Sequence, residues 1–190
     1  MYFSKGRADP QPIPYLLVET NETAIARPVP GNTFLLRSLC KGKGVLRQNG
    51  QGLVYLDIDN RFVSMMIPYL QASGLEKPPY FHLFGAPGGA HAPVIPAREI
   101  AFQYLGAIEQ VGEEFSFEIE GLYSLEPTSW PEVEEVWFFK LHSEGLENVR
   151  RRYFLPAVHP FHIAVAVKPR TNILASLKTT MRVSTAFSKV

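Results

Sequence analysis

Apolar and polar positions alternate most regularly over Phe161 to Val167, where Phe161, Ile163, Val165 and Val167 point one way and His162, Ala164 and Ala166 the other. A period of two marks a strand. Leu53, Tyr55 and Asp57 likewise alternate with Val54, Leu56 and Ile58, and Phe115, Phe117 and Ile119 with Ser116, Glu118 and Glu120. Val136 to Leu141 is apolar on both faces until Lys140, which predicts a more central strand. Elsewhere the period lengthens to that of a helix. Phe62, Met65, Met66, Tyr69 and Leu70 share one helical face after Asp59-Asn60 and before Gly74, with Pro68 set to bend or shorten the helix. Ile100, Ala101, Tyr104, Leu105 and Ile108 predict a second helix over 96–110, with Pro96 in its first turn. Ser143 predicts the cap of a third over Glu144 to Tyr153, whose Arg150, Arg151 and Arg152 read as charges at the negative end of its dipole.

Proline and glycine punctuate this pattern. Five of the sixteen prolines lie in residues 1–30, predicting a proline-rich N-terminal arm with at most an edge strand at Ile13 to Val18. Lys41-Gly42-Lys43-Gly44 and Asn49-Gly50 read as hairpins, and residues 75–89 as a loop region. Beyond Pro169 the chain turns polar, so 31–170 is the expected domain and 171–190 a tail. No repeat of fixed short period is found.

Length and charge narrow the functional classes. A chain of 190 residues, 46% hydrophobic and 19% charged, suits one α+β domain of ordinary size. Its net charge of +1 supplies no global field for nucleic acid or anionic membrane. One cysteine, Cys40, can form neither an intrachain disulfide nor a thiolate zinc site, and it reads as a packing group rather than a nucleophile. The longest apolar runs fall well short of the roughly 20 residues of a membrane helix. Met1 to Pro14 carries Lys5, Arg7 and Asp9 with prolines before any apolar run, unlike a secretory signal. A soluble cytoplasmic monomer with no membrane or DNA partner is expected.

Of the five histidines, 82, 91, 142, 159 and 162, two matter most. His91-Ala92-Pro93-Val94-Ile95 and His162-Ile163-Ala164-Val165 are similar short apolar segments, each introduced by histidine. A lone strand histidine is more often structural than functional; a pair is a different observation. His159 and His162, three apart around Pro160, lack helical metal-ligand geometry and a carboxylate cluster, so no metal or other cofactor is expected. His82 and His142 read as structural or exposed. Lys41 to Gly44 reads as a basic hairpin before an anion nest, Asp57 and Asp59 as solvated strand-end acids before a magnesium pair, and Glu132, Glu134 and Glu135 as an exposed edge. No Gly-x-Ser-x-Gly elbow is present.

Together with Lys77-Pro78-Pro79-Tyr80-Phe81, Val136-Trp137-Phe138 and His159-Pro160-Phe161-His162, the paired segments resemble the 2H phosphoesterase superfamily, and within it a branch described as Swiss-army-knife RNA-repair-like. The resemblance spans roughly Leu53 to Lys168. It implies a two-lobed fold, antiparallel sheets with outer helices around a central cleft, and a metal-independent phosphodiesterase acting on 2′,3′-cyclic phosphate or 2′,5′-linked RNA or nucleotide ends. His91 and His162 would be the catalytic pair, with His159 and Tyr80 as substrate contacts. Imidazole, with an ordinary pKa of about 6.5, can take a proton from the attacking oxygen or give one to the leaving oxygen near neutral pH. The family's motif hydroxyls, two residues after each histidine, are replaced here by Pro93 and Ala164. Hydrogen bonds of that kind to a charged group are worth about 1.5–3 kcal/mol each. The alternative is therefore a non-catalytic nucleotide- or protein-binding relative.

Overall fold

The computed structural model describes residues 13–17, 22–30, 40–66, 68, 74–78, 89–128, 130–157 and 159–170. Eight strands, β1 (Ile13–Leu17), β2 (Glu22–Pro28), β3 (Lys41–Gln48), β4 (Val54–Ile58), β5 (His91–Ile95), β6 (Glu114–Leu125), β7 (Val133–His142) and β8 (His162–Pro169), form one mostly antiparallel sheet. Among the described residues three helices accompany them, α1 (Arg61–Ser64), α2 (Ala97–Phe102) and α3 (Glu144–Arg152). The fold is mixed α+β, as the alternation of periods predicts. The arm contributes the β1–β2 hairpin, which joins the sheet through Arg27 and Pro28 of β2 opposite Ser124 and Tyr123 of β6.

The remaining strands are ordered β5-β4-β3-β6-β7-β8, and β5 and β8 come to lie side by side without pairing. The result is a nearly closed barrel. Among the described elements the chain runs through the same order twice: hairpin, helix, strand as β3-β4-α1-β5, and again as β6-β7-α3-β8, with α2 between. The first strands of the two units pair at the centre, and the last strands border the seam on the far side. A repeat of this kind has no short period, so it is invisible to a search for one.

The interior of the curved sheet is filled. Leu46, Leu56, Ala92, Phe117, Phe139, Ile163 and their buried neighbours form a continuous core, closed by Phe62 of α1 and Leu146 and Val149 of α3. A second cluster on the other face of β6, β7 and β8 contains Tyr123, Val136, Phe138, Ala164 and Val167, and Ala26 of β2 packs on it. Gly42 is required where the strands meet α1, because a Cβ there would sit 2.3 Å from the Phe117 ring and 2.6 Å from the Phe62 ring.

Several expectations change. Helical structure after Asn60 is confined among the described residues to Arg61–Ser64 and Pro68, Met65 and Met66 forming a turn, and residues 67 and 69–73 of the predicted helix lie outside them. The second helix ends at Phe102 instead of running to 110, because Tyr104 adopts a left-handed backbone, φ 51°. In β8 a register shift opposite Trp137 and Phe138 makes Val165 an extra residue. Ala166 thus joins the main core and Val167 the second cluster, reversing the simple alternation. The third helix is as predicted, with Ser143 Oγ accepting from Leu146 N. Its Arg150, however, is no exposed helix-end charge but is 1% exposed. Cys40 is exposed, not a buried packing group. Glu134 and Glu135 lie on β7, which is paired on both sides and so forms no edge. No helix among the described residues is long and apolar enough to cross a membrane.

Candidate functional site

Each strand bordering the seam begins with a histidine, and the two are built alike. His91 Nδ1 lies 2.9 Å from the carbonyl of Gly89, and His162 Nδ1 lies 2.8 Å from the carbonyl of Pro160, in both cases two residues upstream. A carbonyl can only accept, so Nδ1 carries the hydrogen in the neutral ring and Nε2 the lone pair. Each ring also meets an aromatic edge from the preceding strand of its own unit. His91 packs T-shaped on Tyr55 at 5.7 Å, and His162 on Phe138 at 5.6 Å. Directly across the ladder stand Asp57 for His91 and Lys140 for His162. His91 is 7% exposed and His162 fully buried.

Both rings stand on the face opposite the main core. His91 shares its side of the sheet with half-exposed Tyr55 and Asp57, and His162 with Ala164 and Phe138 of the second cluster. The other face of these strands carries the packed core.

His159 reaches across the seam. It is hydrogen-bonded to the backbone of Pro93, packs on Phe161 at 5.1 Å, and is close enough to His162 and Arg150 to feel their charge. Burial above all, and then the positive field of Arg150, His162 and Arg98, pushes its pKa down to about 3, against the opposing pull of the Pro93 bond. It is neutral at physiological pH, and its buried Nε2 finds no hydrogen-bond partner. Pro93 has no N–H to donate to a ladder.

Arg150 is the second clasp. From α3 it donates to the carbonyl of Val94 on β5 at 2.7 Å and to that of Pro156 at 2.8 Å, and it pairs with Glu99 of α2 at 2.8 Å. Sequence reasoning missed it because a run of three arginines at a helix end looks solvated whichever one turns inward.

Tyr80 and His82 lie outside the described residues. His142 is exposed, 3.6 Å from Glu147. Together with Lys41, Gly42, Lys43, Asp59, Arg61, Ser116, Glu118 and the start of α3, it lines an open pocket of about 790 Å³ around the β3–β6 ladder. Its lysines are already paired, Lys41 with Glu118 and Lys43 with Glu114, both at 2.7 Å. Among the described residues no three His, Cys, Asp or Glu side chains converge on one point. No family model, curated protein or solved structure matches the chain.

Proposed function

We propose that the chain is a metal-independent phosphodiesterase of the 2H type, opening a 2′,3′-cyclic phosphate or cutting a 2′,5′ linkage at an RNA or nucleotide end, with His91 and His162 as its acid and base. The observation that carries this reading is the duplicated construction of the two histidines: the same strand position, upstream carbonyl bond and aromatic edge in two successive units. On this reading each hairpin-helix-strand unit is one lobe. One Nε2 takes the proton of the attacking water as its oxygen bonds to phosphorus. The other imidazolium gives its proton to the ribose oxygen as the P–O bond breaks. His159, with its lone pair on Nε2, would accept from a substrate hydroxyl, and Tyr80 remains the second proposed contact.

A non-catalytic binding relative is the second reading. It is favoured by the loss of both motif hydroxyls, by the full burial of His162, and by Ala164 lying within the second cluster. Hydrolysis of 2′,3′-cyclic nucleotides and short 2′,5′-linked oligonucleotides by the wild type, His91→Ala and His162→Ala separates the two. The expected loss is about 10²- to 10⁴-fold for either substitution. Turnover that survives both overturns the proposal, and nucleotide binding without turnover supports the second reading.

A further inference from the structure

Two helices end in the same uncommon way. After α2, the amide of Leu105 bonds to the carbonyl of Ile100 and that of Tyr104 to Ala101; after α3, the amide of Leu155 bonds to Arg150 and that of Phe154 to Arg151. Both are Schellman caps, whose left-handed residue is usually glycine. Here those residues are Tyr104, φ 51°, and Phe154, φ 57°.

An aromatic side chain in that backbone is strained relative to glycine, and burial gives nothing back. Tyr104 is 93% and Phe154 96% exposed, and Phe102, two residues before Tyr104, is 81% exposed. The segments that carry them are laced together: Tyr153 Oη accepts from Glu109 N and donates to Gln110 Oε1, and Arg152 pairs with Glu109 at 3.1 Å. Exposed Gln103 separates Phe102 from Tyr104 along the chain, and exposed Arg151 and Arg152 precede Phe154. Arg98 of α2 is exposed and has no ion-pair partner among the described residues, and its charge reaches His159 beside His162. Solvated rings with an unpaired guanidinium are what unstacked bases and their phosphates recognise.

We infer that Phe102, Tyr104 and Phe154 form a stacking platform for single-stranded RNA leading to the histidine site, so that the substrate is the end of a strand and not a free mononucleotide. This rests on the proposed function for the identity of the end group, but not for the binding itself.

Glycine at the two capping positions provides the test, because it relieves the backbone and so cannot act by unfolding the chain. Binding of a fluorescein-labelled ten-nucleotide uridine oligomer is measured by anisotropy for the full chain, Tyr104→Gly, Phe154→Gly and the double variant, alongside thermal midpoints and turnover of uridine 2′,3′-cyclic phosphate. Stability is expected to hold or rise, and oligomer affinity to fall about tenfold per ring, with mononucleotide turnover unchanged. Oligomer binding that is absent in the wild type, or unaffected in the double variant, overturns the inference. So does a wild type that self-associates in sedimentation while the double variant stays monomeric without losing oligomer affinity, which would assign the rings to a second copy of the chain. Oligomer binding lost in the glycine variants without any turnover by the wild type would leave the platform standing and remove the phosphodiesterase.

Discussion

His159 couples the site to stability through a single proton. Its folded pKa of about 3 lies below the ordinary 6.5 of an unfolded histidine, so between those values the unfolded chain binds the extra proton. Stability attributable to this residue is therefore complete above about pH 6.5 and drains away as pH falls toward 3. Each pH unit in that window is worth about 1.4 kcal/mol. Urea unfolding at pH 7 and pH 4 should show a drop about 3 kcal/mol larger in the wild type than in His159→Gln; equal drops would mean that the ring protonates in the folded state. His91 and His162 were legible in the sequence because a polar ring heading an aliphatic strand breaks the pattern. Their carbonyl bonds and aromatic edges were not, since they depend on which residue of a neighbouring strand falls alongside.

At the level of elements, Arg150 ties α3 to β5 and to α2. Replacing Arg150 leaves the Val94 and Pro156 carbonyls without their donor and Glu99 without its partner, and Arg150→Met is expected to cost about 2–4 kcal/mol. Adding Glu99→Gln should cost less than the two single changes summed, as a double-mutant cycle in chemical denaturation would reveal; strict additivity would separate the two residues energetically. Most strands and α3 were readable because burial imposes their period and Ser143 supplies a cap. But β2 lies in an arm expected to hold at most one edge strand. In β3 the glycines of Lys41-Gly42-Lys43-Gly44, which read as a hairpin, sit within the strand because Phe117 and Phe62 fill the space beside Gly42. The end of α2 was not readable. Leu105 and Ile108 continue a helical spacing past Phe102, but Tyr104 turns left-handed where no glycine announces it, and hydrophobic periodicity does not register a backbone sign. The bulge in β8 escaped for a related reason, because one extra residue exchanges faces without altering composition.

For the molecule as a whole, the arm is a cover as well as a strap. Ala26 packs on Tyr123, Leu125, Phe138 and Val167, and deletion of residues 1–30 should uncover that cluster. A lower unfolding midpoint and increased binding of an apolar dye are expected; an unchanged midpoint would mean that the sheet is self-sufficient without it. The class of fold could be read from alternating periods. The duplicated order could not, because its halves share a plan of pairing but differ in strand length and loop content.

That plan leaves the two units joined by a backbone ladder along β3 and β6, while at the opposite side His159 on Pro93, Arg150 on Val94 and a backbone bridge between Glu76 and Val167 fasten them. A molecule so built is hinged on one side and latched on the other. Parting β5 from β8 would break no rung between β3 and β6, but it would strip the Glu76–Val167 bridge and open the core that the units share. The latch residues stand beside His91 and His162, on which the proposed reaction depends.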